Sequence, residues 1–338
     1  MKLTIDQIEN IAVGAVKVVA DGNFVKLYRF TEEQFKMYEK YRDGFFAGKT
    51  YCSSGIKLAF TTNSQTLKIK GNAIGKSART YYAIDLVVNG ELKESLTNFD
   101  QPIDSGYTWK TFPLGDFEKT FELPDGEKKV ELYLPFSVAI CFEEICLDDA
   151  AFVEPIKANK KGLLFGDSIT QGYDCVYPSK HHTAILSKAF GIDFVNKAIG
   201  GEYFNPLLAK TKDDFEPDYI LIAYGTNDWS NAVTLERFTN NCKEFCQNVR
   251  NNYPKAKIFI IAPIWRKDKD ERDVKFDFMM LAQAIKQVAN QVGNVIFVDG
   301  YDFVPHSEDF FGDQYLHPND LGFEHYAKNL CDAIKEKI

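Results

Sequence analysis

The sequence predicts two units in series: an antiparallel β-sandwich of jelly-roll type over residues 1–155, and a doubly wound α/β domain with a five-stranded parallel sheet over residues 156–338. Three observations predict this. Apolar residues alternate with period two between about Ile11 and Cys146, whereas after Lys160 short apolar runs alternate with segments long enough for helices. The acidic, proline-bearing and then polar stretch Asp148–Lys161 separates the two patterns, which places the boundary near Pro155. At 338 residues the chain also exceeds the usual size of one domain.

In the first unit, Ile56, Leu58 and Phe60 alternate with Lys57 and Ala59; Leu67 and Ile69 alternate with Lys68 and Lys70; and Val130, Leu132 and Leu134 alternate with Glu131 and Tyr133. Each run reads as a half-buried strand. Asn89-Gly90, between Tyr81–Val88 and Glu91–Leu96, suits a two-residue hairpin because both turn positions need positive φ. Pro124-Asp125-Gly126 predicts a turn joining a second strand pair. Thr31–Lys40 reads as a short connecting helix capped by Thr31, with Glu32 and Glu33 at its positive end. This half has no histidine and shows no catalytic constellation. Tyr81, Tyr82, Tyr107 and Trp109 are expected as exposed aromatics that either stack on sugar faces or pack in a core or interface.

In the second unit, Leu163–Phe165, Phe194–Val195, Tyr219–Ala223, Ile258–Ile261 and Val295–Val298 are the predicted strands. Thr234–Asn251, Val274–Val292 and Asn319–Ile334 carry apolar residues at helical spacing. Right-handed crossovers make the sheet parallel and put any site at the strands' carboxyl ends. Polar residues and glycines do follow the strands: Gly166-Asp167-Ser168, Asn196 through Gly201, and Gly225-Thr226-Asn227-Asp228, with Gly312–Asp320 ahead of the last helix.

Composition narrows the function classes. A net charge of −8, with no Lys/Arg run interleaved with aromatics, argues against nucleic acid or an anionic membrane surface as partner. The amino terminus is broken by Asp6, Glu9 and Asn10 and lacks the layout of a secretory signal, and no apolar stretch is long enough to span a bilayer. Seven cysteines at scattered positions, none in a Cys-x-x-Cys pair, suit reduced thiols, so a cytoplasmic protein is expected. Cys242 and Cys246 share an apolar helical face with Phe238, Phe245 and Val249, as packing residues do. No histidine, cysteine and carboxylate cluster shows metal-ligand spacing, and Gly200-Gly201-Glu202 is not a phosphate-cradling loop. Neither a metal nor an organic cofactor is expected.

Ser168 is the candidate nucleophile, because a strand running into Gly-Asp-Ser presents the hydroxyl at the sheet edge where ligands bind; the same tripeptide is also ordinary turn and cap chemistry. Among the five histidines, His317 lies in a Pro- and Asn-bearing turn with an acid just upstream, whereas His181, His182 and His325 fall in helical segments where surface or packing roles are expected. Trp229, Trp265 and Arg266 follow strand ends, as either pocket lining or packing.

GDSI at Gly166–Ile169, NKAIGG at Asn196–Gly201, GTND at Gly225–Asp228 and LHPND at Leu316–Asp320 together resemble the four blocks of the SGNH, or GDSL-type, esterase family. The resemblance covers residues from about Lys160 onward and implies a flavodoxin-like hydrolase domain. A β-sandwich ahead of such a domain is similar to the arrangement in carbohydrate esterases. By resemblance Ser168 is the nucleophile; its own N–H, the Gly201 N–H and the Asn227 side chain are the oxyanion donors; and His317 is the base. The family's orienting aspartate usually stands three residues before its histidine, and that place holds Gln314 here. Asp313, four before, is preferred to Gln314 or a backbone carbonyl, because a carboxylate also stabilises the imidazolium. Asp167 and Asp228 are expected to tie their loops to backbone N–H groups. The expected activity is hydrolysis of a short-chain ester, acetyl above all, on a carbohydrate or related small molecule; acyl transfer from the same site and carbohydrate binding at a weakened site are the alternatives.

Overall fold

The computed structural model describes residues 1–338 except 105, 107 and 232. Two antiparallel sheets build the sandwich. One has the strand order Ala12–Val13, Lys57–Thr62, Lys128–Tyr133, Ala83–Val88, Glu91–Thr97, with Glu154–Pro155 also paired to Lys57–Thr62. The other has the order Lys17–Asp21, Phe24–Tyr28, Val138–Leu147, Thr66–Gly75, Gly115–Glu122. Period-two alternation sends Leu67, Ile69 and Ala73 of one sheet against Leu58, Phe60, Leu86 and Leu132 of the other in a single core. Asn89 and Gly90 have φ of 51° and 86°, as a two-residue hairpin requires.

The turn at Pro124–Gly126 does not join a strand pair. Gly115–Glu122 pairs with Thr66–Gly75, and Lys128–Tyr133 pairs with strands of the opposite sheet. The local turn chemistry marks a reversal of the chain, but the partner of each strand is chosen by the apolar face it buries.

After Pro155 the chain enters a parallel sheet with the order Ile192–Asn196, Lys160–Gly166, Tyr219–Ala223, Lys257–Ile261, Val295–Val298. Alternate residues face opposite sides: Leu163, Phe165, Ile220 and Ile222 pack under helices Leu235–Asn252 and Met280–Val292, whereas Leu164, Leu221, Phe259 and Ile261 pack under helix Asp320–Ile334. Thr234 and Asn319 cap their helices by accepting the N–H groups of Arg237 and Gly322. The middle helix begins at Met280, not Val274, because the preceding residues run as a loop whose Phe276 carbonyl accepts the Trp229 indole N–H. Among the described residues no helix is long and apolar enough to cross a membrane.

The segment 31–51 is more than a connector. Thr31 and Gln34 form a reciprocal capping box at helix Glu32–Lys40, and Phe30, Tyr38 and Phe46 join the core of the α/β unit, not that of the sandwich.

Candidate active site

The first parallel strand ends at Gly166, where a Cβ would lie 2.3 Å from Thr170 Oγ1, so the turn closes only on a glycine. Asp167 then caps the four-residue helix Ser168–Gln171, its Oδ1 accepting the Ile169 N–H at 3.0 Å. This turn aims Ser168 at the loop before the last helix. His317 Nε2 lies 2.8 Å from Ser168 Oγ, and His317 Nδ1 lies 2.6 Å from Asp313 Oδ2. All three residues are buried, although each keeps a small exposed fraction.

The loop geometry explains why Asp313 and not Gln314 meets the ring. Asp313 Oδ1 accepts the N–H groups of Tyr315, Leu316 and His317 at 3.1, 2.9 and 3.0 Å, and Gly312 N–H donates to the His317 carbonyl at 2.8 Å. Gln314 takes φ +66°, and this left-handed residue accommodates the extra position between acid and histidine. Burial raises the Asp313 carboxyl, but the bond and charge of His317 together with the Leu316 and His317 N–H groups outweigh it and hold the group down at about 2.

Gly201 adopts φ +85°, which favours glycine. Among the described residues neither its N–H nor that of Ser168 has an acceptor. The Asn227 side-chain amide donates to the Glu202 carbonyl at 3.0 Å, which leaves its second N–H. The loop is fixed from below. Gln171 Oε1 accepts the Gly200 N–H at 2.6 Å, and Arg29 reaches from the sandwich to donate to the carbonyls of Asn196 and Ala198, each at 2.7 Å. Lys49 Nζ donates to the Gly200 carbonyl at 2.6 Å.

Asp167 and Asp228 tie loops, as their positions suggested: Asp228 Oδ2 accepts the Phe204 N–H at 3.4 Å. Burial pushes Asp167 up to about 6, Glu202 to about 7 and Asp228 to about 8. His181 and His182 are buried packing residues beside Phe323, and burial lowers both. Trp229 is fully buried; Trp265 stacks on His306 at 5.1 Å; Arg266 forks onto Asp268 and reaches Thr226 and Ser230. These three are framework residues.

Residues of the amino-terminal half reach the surroundings of His317, although no catalytic constellation lies within the described residues of that half. Arg79 and Tyr81 bond to Asp174, whose Oδ2 lies 3.9 Å from His317 Nδ1, and the Tyr173 ring lies 5.4 Å from the imidazole. Tyr81 and Tyr82 are buried, not exposed, whereas Trp109 is exposed, at 63%. Tyr107 lies outside the described residues. Asp174 and Gln171 sit within eight residues of Gly166, so an extended reading of the first block would have reached them, whereas no sequence signal marks Arg79. Ligand atoms of Asp174, Asp313 and His317 lie within 4.8 Å of one another. Each carboxylate is already engaged, by His317 and three N–H groups or by Arg79 and Tyr81, so the cluster is a hydrogen-bonded ion network and not an open coordination set.

A doubly wound α/β domain that carries a Ser–His–Asp hydrogen-bond chain at its strand ends has the constellation of an α/β serine hydrolase. Residues 164–325 match the model of the GDSL-like lipase/acylhydrolase family. No curated protein sequence matches the chain. Among solved structures, a salicylyl-acyltransferase from a tetracycline biosynthetic pathway superposes with a TM-score of 0.81 at 23% identity, over 96% of this chain and 94% of that one. A candidate GDSL-like lipase from Bacteroides ovatus gives 0.77 at 19% identity over 99% and 97%. An acetyl xylan esterase from the rumen bacterium Butyrivibrio proteoclasticus gives 0.64 at 15% identity over 100% and 98%. These likenesses show that the two-part fold recurs across the full length of other chains.

Proposed function

We propose that the protein is a serine esterase acting on small acyl esters, acetyl esters of a carbohydrate or related small molecule above all. The observation that carries this reading is the unbroken hydrogen-bond chain Ser168 Oγ, His317, Asp313. In the proposed reaction His317 Nε2 takes the proton of Ser168 Oγ as that oxygen bonds to the ester carbonyl carbon. The N–H groups of Ser168 and Gly201 and the Asn227 amide receive the developing oxyanion. The carbon–oxygen bond to the alcohol then breaks, and the alcohol leaves with the proton from His317. Water, deprotonated by the same imidazole, releases the acid and restores Ser168. Asp313 holds the Nδ1 proton in place and stabilises the imidazolium.

The carbohydrate assignment draws on the acetyl xylan esterase neighbour. A second reading, transfer of the acyl group to a hydroxyl acceptor in place of water, draws on the salicylyl-acyltransferase neighbour. Hydrolysis of 4-nitrophenyl acetate by the protein and by Ser168→Ala tests the reading. We expect turnover that falls by at least about 10³-fold in the variant. Activity equal in the two, or absent from both, rejects the esterase and the transferase alike, whereas hydrolysis diverted to acetylated product by added sugar favours transfer.

A further inference from the structure

Asp174 is a second buried carboxylate beside the imidazole, and it needs an explanation. It sits at φ +64° after the short helix, and the loop of Gly312 packs so closely on it that a Cβ there would lie 2.6 Å from Asp174 Cβ. That contact brings Asp174 Oδ2 to 3.9 Å from His317 Nδ1, the nitrogen that Asp313 meets at 2.6 Å, and both acidic side chains are fully buried. An imidazole between two buried carboxylates would hold a proton too firmly to serve as a base.

The counter-charge comes from the sandwich. Arg79, its side chain 1% exposed, donates from Nε to Asp174 Oδ1 at 2.7 Å and from Nη2 to Oδ2 at 3.2 Å, and the Tyr81 hydroxyl donates to Oδ1 at 3.0 Å. The guanidinium lies 4.0 Å from the Trp109 ring centroid and 5.5 Å from that of Tyr173, the ring that packs on His317. Of the other ionisable groups, Asp167 on the nucleophile turn and Asp313 on its own loop feel the charge of the imidazole, and Arg266, which acts on Asp167, is committed to Asp268.

We propose that Arg79 is a positioning residue of the site: by neutralising Asp174 it removes that carboxylate's pull on His317, so the β-sandwich sets the pH range in which His317 works as a base. The proposal rests on His317 being the base of the proposed esterase, and its test has a readout that does not depend on turnover. Protein carrying 13C at histidine Cε1 is titrated by NMR between about pH 4 and pH 9, with the His317 signal identified by its loss in His317→Asn.

Relative to wild type, we expect the His317 midpoint to rise by about one pH unit or more in Arg79→Gln, to fall by about as much in Asp174→Asn, and to lie between these in the double variant. Arg79→Lys, which keeps the charge, should stay near wild type. The acid limb of the kcat/KM profile for 4-nitrophenyl acetate should move in the same directions. A midpoint that is unchanged or raised in Asp174→Asn overturns the proposal, as does an equal rise in Arg79→Gln and in the double variant. Should Arg79→Gln fail to fold, Asp174→Asn decides alone. A wild type that titrates as expected but does not hydrolyse the ester counts against the esterase reading and leaves the charge relation standing.

Discussion

Gln171 and Gly200 are joined by a 2.6 Å hydrogen bond from the Gly200 N–H to the Gln171 side-chain oxygen, and the same amide donates to the Phe136 carbonyl at 3.0 Å. One buried side chain thus ties the loop carrying Gly201 to the helix carrying Ser168 and to the sandwich. Gln171→Ala leaves a buried N–H and a buried carbonyl without partners, a cost of about 1–3 kcal/mol in denaturant unfolding. Because the loop then loses its register against Ser168, kcat in the proposed esterase should fall by roughly tenfold with KM little changed.

Asp313 and Gln314 make opposite predictions. Asp313→Asn keeps an acceptor for the three N–H groups of the loop but presents an N–H to His317 Nδ1, favouring the wrong tautomer; we expect kcat to drop by roughly 10³–10⁴ with the fold intact by circular dichroism. Gln314→Gly should leave kcat within about twofold and stabilise the protein by about 0.5–1 kcal/mol, since it removes a side chain from a left-handed position.

Two buried acids, Asp228 and Asp313, give the stability a pH signature. Asp228 has a folded value of about 8, far above the unfolded carboxylate, because burial disfavours its charge; the folded protein therefore holds a proton that the unfolded chain has released. Its contribution is fully present below about pH 4 and is lost as pH rises toward about 8, at about 1.4 kcal/mol per pH unit within that window. Asp228→Asn, neutral at every pH, should match wild type near pH 4 and exceed it in Tm by a margin that grows to pH 8. Asp313 behaves oppositely. Held at about 2, it stabilises the fold above the ordinary carboxylate range, and that contribution disappears between about pH 4 and pH 2.

Arg29 is buried and among the described residues has no carboxylate partner; its guanidinium instead bonds the carbonyls of Lys49, Cys52, Asn196 and Ala198, and burial lowers it to about 10. Arg29→Ala should cost about 3–5 kcal/mol by urea unfolding, because several buried carbonyls lose their donor at once. Arg29→Lys should recover only part of this, since an ammonium cannot span acceptors that the planar fork reaches together.

The parallel sheet was legible because each of its strands is a short, almost wholly apolar run, and two of them, Tyr219–Ala223 and Val295–Val298, begin and end where the pattern does. The positions of Ser168 and His317 follow from strand ends and from a proline-bearing turn, which are local features. What escaped was non-local. Arg79 is one basic residue in an unpatterned stretch, and only the docking of sandwich on sheet makes it meet Asp174. The same docking buries Tyr81 against Tyr173, whereas Tyr82 is buried in the sandwich core; aromatic character alone does not say which surface such a ring lies on. The pairing across Pro124–Gly126 failed for a related reason: a turn says that the chain reverses, not which sheet receives it.

The placement of Phe30, Tyr38 and Phe46 bears on how the molecule assembles. These rings emerge early in synthesis, yet their partners Leu163, Phe165, Val195 and Phe204 follow well over a hundred residues later. Closing contacts of such sequence separation is slow, so the early strands can pair while this stretch waits exposed. Neither sheet system completes its burial alone, and the whole chain is expected to melt in one cooperative transition whose loss begins wherever this shared strap is loosened.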